Sequence, residues 1–195
     1  MTLKKTAFAF LSTILCSGFI ALGTAKAEME QPINVAELNL SIVHQAQQIS
    51  ALYLLDWKVG DSQDFKVTLG FGLQGTMRKE VTKDEGESVW IKQEMKLPIA
   101  NDTSEMLMDR NSGKILKYIH NGKEEAIPEG QVEIISSKQE TIEVPAGKFK
   151  VTHIVAKSKD VKQIDVWANP RQISMDGAAK LMVDQGQMKI TMELT

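Results

Sequence analysis

Val89-Trp90-Ile91-Lys92-Gln93-Glu94-Met95-Lys96-Leu97 reads with a period of two: Val89, Ile91, Met95 and Leu97 alternate with Trp90, Lys92, Glu94 and Lys96. Successive side chains of a strand point to opposite faces, so this pattern predicts a half-buried β-strand. Phe149, Val151, His153 and Val155 alternate in the same way with Lys148, Lys150, Thr152 and Ile154, and Met188, Ile190 and Met192 with Lys189, Thr191 and Glu193. One apolar and one polar face per strand is the pattern of an antiparallel sheet.

The punctuation between these runs agrees. Asp84-Glu85-Gly86, Asn111-Ser112-Gly113, Pro128-Glu129-Gly130, Pro145-Ala146-Gly147 and Asp184-Gln185-Gly186 each place glycine after two turn formers, and Asn121-Gly122 is a strong two-residue hairpin signal. The expected fold is therefore mainly β: an antiparallel meander forming a curved sheet, half-barrel or barrel, with strands over about 62–195. One register can be tried. If Lys157-Ser158-Lys159-Asp160 joins its flanking strands directly, Ala156 faces Val161, Val155 faces Lys162, His153 faces Ile164, Val151 faces Val166 and Phe149 faces Ala168. That register puts His153 on an apolar face and Asp165 on the other.

Ahead of the strands, Asn34 and Glu37 form a capping box, and Val35, Leu38, Ile42, Ala46, Ile49 and Tyr53 make one apolar stripe. An amphipathic helix is expected over about 34–55, with His44 off the stripe on its solvated side. Before it, Lys4 and Lys5, an apolar run from Ala7 to Leu22 and Ala25-Lys26-Ala27 compose a cleavable export signal over 1–27. The run is interrupted by Ser12, Thr13, Ser17 and Gly18, and is shorter than the roughly 20 apolar residues of a spanning helix. No stable transmembrane anchor is expected. Leu15 before Cys16 is too bulky for lipoprotein processing, which leaves a single β-rich domain over 28–195.

Removing Lys4, Lys5 and Lys26 from 23 basic residues leaves 20 against 25 acidic ones, a net charge of −5. Such a domain gains no counterion release from nucleic acid, which excludes nucleic acid as an expected partner. The one cysteine leaves with the signal, so the domain relies on its core without disulfides.

Catalytic and cofactor motifs are sparse. Gly70-Phe71-Gly72-Leu73-Gln74-Gly75 matches the dinucleotide fingerprint in letters. The Thr76–Thr82 stretch that follows has no helical stripe to hold a pyrophosphate, so a glycine-rich bend is expected. Gly86-Glu87-Ser88-Val89-Trp90 lacks the closing glycine of a nucleophile elbow. His44, His120 and His153 fall on separate elements without metal-ligand spacing. Met106 and Met108, two apart on a strand face, are thioethers of the kind that bind monovalent copper. Their apolar neighbours Leu107 and Leu116 point instead to packing. No metal, no cofactor and no catalytic residue are assigned.

Glu143-Val144-Pro145-Ala146-Gly147-Lys148-Phe149 resembles a V-P-A-G-[TK]-F hairpin motif of uncharacterised families of exported bacterial proteins. Asp165-Val166-Trp167-Ala168-Asn169-Pro170, Trp57-Lys58-Val59-Gly60-Asp61 and Met188–Leu194 fit the same layout, whereas Ile173-Ser174-Met175 departs from it. Some of these domains are similar to the lipoprotein-carrier half-barrel, an open curved sheet closed by a helix. The resemblance implies a structural turn at Pro145, Ala146, Gly147 and Phe149.

The expectation is a non-catalytic periplasmic protein binding a lipid or lipoprotein acyl chain in its curved sheet. Met106, Met108, Phe149, Val151, Met188 and Met192 are the candidate apolar lining, since unbranched thioethers adapt to varied ligand shapes. The alternative is an envelope scaffolding or protein-interaction domain with a filled core and an envelope protein partner. An enzyme of unknown class comes third.

Overall fold

A computed structural model of the chain describes residues 56–98, 100–127, 132–158, 161–186 and 188–195. The export signal, the expected helix over 34–55, His44 and the Pro128-Glu129-Gly130 turn lie outside the described residues.

Alternating sequence folds here as alternation predicts. The strands are β1 (Ser62–Leu69), β2 (Gln74–Asp84), β3 (Ser88–Leu97), β4 (Ala100–Asp109), β5 (Ile115–His120), β6 (Lys123–Glu125), β7 (Glu133–Val144), β8 (Gly147–Lys157), β9 (Gln163–Ala168), β10 (Ala178–Asp184) and β11 (Lys189–Leu194). They form one antiparallel sheet in the order β6-β5-β4-β3-β2-β1-β11-β10-β9-β8-β7. Every link is a hairpin between sequence neighbours except the central one, where β1 pairs with β11 from Phe65↔Leu194 to Leu69↔Ile190. The sheet is open, with β6 and β7 as its edges, so of the expected forms the closed barrel is not adopted.

The turn residues stand where their backbone freedom is needed. Gly86, Gly113 and Gly186 have positive φ, and Asn121-Gly122 has positive φ at both residues, the geometry of a two-residue hairpin. Asp84 and Asp184 each accept the N–H two residues on, from Gly86 and Gly186, which closes two turns by the same device. Gly70–Gly72 is a single 3-10 turn between β1 and β2, followed by a strand, so the fingerprint-like glycines make a bend. Gly75 is required by proximity, since a Cβ there would lie 2.3 Å from the Lys96 carbonyl oxygen.

One register differs from expectation. Ala156 pairs with Ile164, Val155 with Asp165, Ile154 with Val166 and His153 with Trp167. This is three residues from the direct-loop register, and an odd slip exchanges the faces of a strand. The cause is Val161, which leaves the ladder to enter the apolar core. Lys162 then donates its N–H to the Asp184 carbonyl of β10. His153 and Asp165 consequently share the face opposite the core.

β8 also uses both of its faces. Beside β9, Ile154 and Ala156 oppose the buried Val166 and Ile164. Past Thr152 the strand leaves β9 and runs on with β7 as a two-stranded ribbon. There Val144 and Val151 are buried in the core, with Ile142 and Phe149 packed against it. The Pro145-Ala146 turn is fastened by Ala146 N–H to the Leu194 carbonyl, 2.9 Å away. The hairpin tip thus closes over one end of the apolar face, a concrete role for the motif.

Candidate functional site

The inner face of the sheet carries two separate apolar clusters. The first contains Phe65, Met77, Met95, Ile164, Leu181 and Met192, and the second Val81, Ile91, Met106, Met108, Tyr118 and Trp57. Of the candidate lining, Val151 and Met192 belong to the first and Phe149 and Met188 pack against it, while Met106 and Met108 belong to the second. The six residues do not form one lining. Met106 and Met108 pack against Ile91, Ile115 and Tyr118. Leu107 and Leu116 are not among them: Leu116 is exposed and Leu107 pairs with Lys117 on the outer side.

What divides the clusters is a polar row running across the strands. Gln63 pairs with Lys79, Lys79 with Gln93, Gln93 with Ser104, Ser104 with His120 and His120 with Lys123. Direct cross-strand partners share a face, so one polar residue from each of β1 to β6 lies at the same level of the inner side. Phe65, Met77 and Met95 flank the row on one side, and Val81, Ile91 and Met106 on the other.

Apart from Lys123, exposed on the edge strand β6, the charges in this row are matched. Lys79 Nζ is ion-paired with Asp176 Oδ2, both groups buried. Asp176 arrives on the β9–β10 loop, residues 169–177, which crosses the inner face of β1 to reach β2. Ser174 helps to fasten that loop: its carbonyl accepts from Gln63 Nε2 at 2.8 Å, and its hydroxyl donates to the Ser62 carbonyl. Asn169 shapes the loop by accepting the Arg171 N–H on its side-chain oxygen and donating to the Lys150 carbonyl. Gly177 is the one residue type that fits, because φ is +74° and a Cβ would stand 2.3 Å from the Pro170 nitrogen.

At the other end, His120 Nε2 lies 2.5 Å from Asp102 Oδ1 and Nδ1 lies 3.3 Å from Glu125 Oε1. Burial disfavours the His120 cation, but hydrogen bonds and charge from Asp102 and Glu125 outweigh it and hold the ring above its usual pKa. Tyr118 stacks on His120 at 6.2 Å, and burial, helped by the two carboxylates, pushes its phenol well above the usual range.

The middle of the row is not matched. Gln93 is 2% exposed and neither its Oε1 nor its Nε2 has a hydrogen-bond partner among the described residues. The same holds for Ser104 Oγ at 0% exposure, Tyr118 OH at 1%, and Gln63 Oε1. Leaving one buried polar group unpaired costs about 1–3 kcal/mol, so a group of them is a feature that folding stability does not explain.

These residues leave a faint trace in the sequence. Gln93 interrupts an otherwise apolar set between Ile91 and Met95, as Lys79 does between Met77 and Val81. Each interruption alone reads as ordinary. Only the register lines them up.

The outer face holds a different group. His153 Nε2 is 2.8 Å from Asp165 Oδ1, and Nδ1 is 3.0 Å from Glu140 Oε1, an ion-pair contact outside hydrogen-bond geometry. Its ring stacks on Trp167 at 4.2 Å, and Trp167 donates its indole N–H to Glu140. Lys138 and Trp167 hydrogen bonds hold Glu140 below the usual carboxylate range. Both ring nitrogens are engaged by carboxylates, which suits a clamp across β7, β8 and β9. Among the described residues no group of three or more His, Cys, Asp or Glu is placed to hold a metal ion.

Among the described residues no helix is long and apolar enough to cross a membrane. A scan against protein-family models finds no match, and a search of curated proteins finds none either.

Proposed function

We propose that this protein is a non-catalytic component of the cell envelope, exported to the periplasm by its cleaved signal peptide, that binds the apolar chain of a lipid or lipoprotein on the inner face of its sheet. The observation that carries the reading is the composition of that face. Buried methionines stand in both clusters, Met77, Met95 and Met192 in one and Met106, Met108 and, from the β9–β10 loop, Met175 in the other. Flexible thioethers fill irregular space and re-pack around ligands of varied shape, which rigid branched side chains do less readily. Resemblance to exported half-barrel domains supports the same reading. Native mass spectrometry of processed protein purified from envelope extract tests it. A retained lipid mass is expected, and lipid-free protein at every preparation overturns it.

A second reading has its own observation. β7 is a twelve-residue edge strand, exposed along most of its length, with Ile134 at 52% and Ile135 at 55% exposure. A long unpaired edge with apolar side chains can receive a strand from another chain. This favours an envelope protein partner at β7, and it is compatible with a ligand on the inner face.

A further inference from the structure

Gln93, Ser104 and Tyr118 sit together between the two apolar clusters. Gln93 and Ser104 are direct partners across β3 and β4, and Tyr118 is diagonal to Ser104 across β4 and β5. Gln63 Oε1 adds an acceptor at the β1 end of the row. Together they offer an amide donor and acceptor, two hydroxyls and a further carbonyl oxygen, all buried and all without partners among the described residues.

The group carries no net charge, and the ions beside it are already matched. Lys79 is held by Asp176, and His120 by Asp102 and Glu125. A carboxylate or phosphate brought here would meet no unmatched buried cation, because Lys123, the remaining cation of the row, is exposed on the edge strand β6, and the anion's desolvation would go uncompensated. A neutral group with a carbonyl oxygen and a hydroxyl would satisfy the unpaired donors and acceptors together.

We propose that Gln93, Ser104 and Tyr118 form a head-group site selecting a neutral amphiphile, one whose ester or amide and hydroxyl lie on the polar row while its chain lies on an adjoining apolar cluster. The proposal rests on the apolar-ligand reading above and adds to it the ligand's chemical class: acylglycerol-like rather than free fatty acid or phosphate-bearing lipid.

The test uses two brominated probes with one chain, the monoglyceride of 9,10-dibromostearic acid and the acid itself at pH 8. Bromine quenches indole fluorescence at short range, and Trp57 is a reporter in the second cluster beside Val81 and Met175. Its signal is the difference between the full processed protein, stripped of lipid, and its Trp57→Phe variant. The monoglyceride is expected to bind at least about tenfold tighter than the acid, the scale of one or two satisfied hydrogen bonds. Gln93→Leu with Ser104→Ala is expected to bring the ratio close to one while the acid still quenches. Tyr118→Phe, which removes one oxygen atom and no packing surface, is expected to lower the ratio severalfold and guards against a misfolded double variant. A ratio near one in the unaltered protein, or a preference that survives these variants, overturns the head-group site and assigns the row to buried water, with chain binding intact. Absence of quenching by either probe overturns the apolar-ligand reading itself.

Discussion

Lys79 and Asp176, 97 residues apart in the chain, form a buried ion pair that joins β2 to the loop between β9 and β10. A buried pair is weak evidence of net stabilisation, because both ions lose their hydration, but breaking it from one side leaves an uncompensated charge. Lys79→Met is therefore expected to destabilise the domain by about 3–5 kcal/mol. Lys79→Met with Asp176→Asn should recover most of that loss, because the asparagine oxygen can still accept the Ala178 N–H that Asp176 Oδ1 now accepts. Urea unfolding of the two variants checks the contrast, and equal midpoints would refute it.

Gly177 and Gly86 separate backbone strain from steric overlap. Both have positive φ, +74° and +80°, so alanine at either costs about 1 kcal/mol for conformation alone. A Cβ at Gly86 meets nothing within 4 Å, whereas one at Gly177 meets the Pro170 backbone. Gly177→Ala is expected to cost about 3 kcal/mol or more and Gly86→Ala about 1. Thermal unfolding of the pair reads the difference directly.

The His120–Asp102 contact makes stability depend on pH in a defined direction. The ring's pKa is raised in the folded protein above the reference value of 6.5. Its contribution is fully present below pH 6.5 and declines as pH rises through the folded value. His120→Gln should remove that decline. Thermal midpoints at pH 5.5 and 8.5 should thus fall more in the unaltered protein than in the variant. Identical slopes would contradict the assignment.

On the outer face, Asp165 is buried and held by His153 and by Gln163 Nε2 at 2.7 Å. His153→Ala is expected to destabilise the domain by about 2–3 kcal/mol, because it leaves one carboxylate oxygen of Asp165 with less compensation. Ligand retention in native mass spectra should be unchanged, since the histidine belongs to neither apolar cluster and is engaged by Asp165, Glu140 and Trp167. Loss of ligand without loss of stability would move the functional face to the outer side.

Local order is the part of this fold legible in its sequence. Gly86, Gly113, Asn121-Gly122, Gly147 and Gly186 mark five hairpins in place, and Ile190 and Met192 face inward as their alternation requires. What sequence does not carry is lateral alignment. A single valine, Val161, entering the core changes the β8–β9 register by three and moves His153 from the apolar face to the outer one. The polar row is hidden for a related reason. Gln63, Lys79, Gln93 and Ser104 lie 11–16 positions apart along the chain and become neighbours only through three independent pairings. Pairing of β1 with β11 has no local signal at all, because nothing near Phe65 announces Leu194.

That last pairing governs how the domain can assemble. Two meanders, β1 to β6 and β7 to β11, are each built from nearest-neighbour hairpins, and among the described residues the one strand pairing between them is that of Phe65–Leu69 with Ile190–Leu194. An emerging polypeptide can zip either meander early, yet the seam must wait for the final strand to be delivered. Until then two raw borders stand open at what becomes the middle of the molecule, a long vulnerable interval in which a holding chaperone would have most to protect.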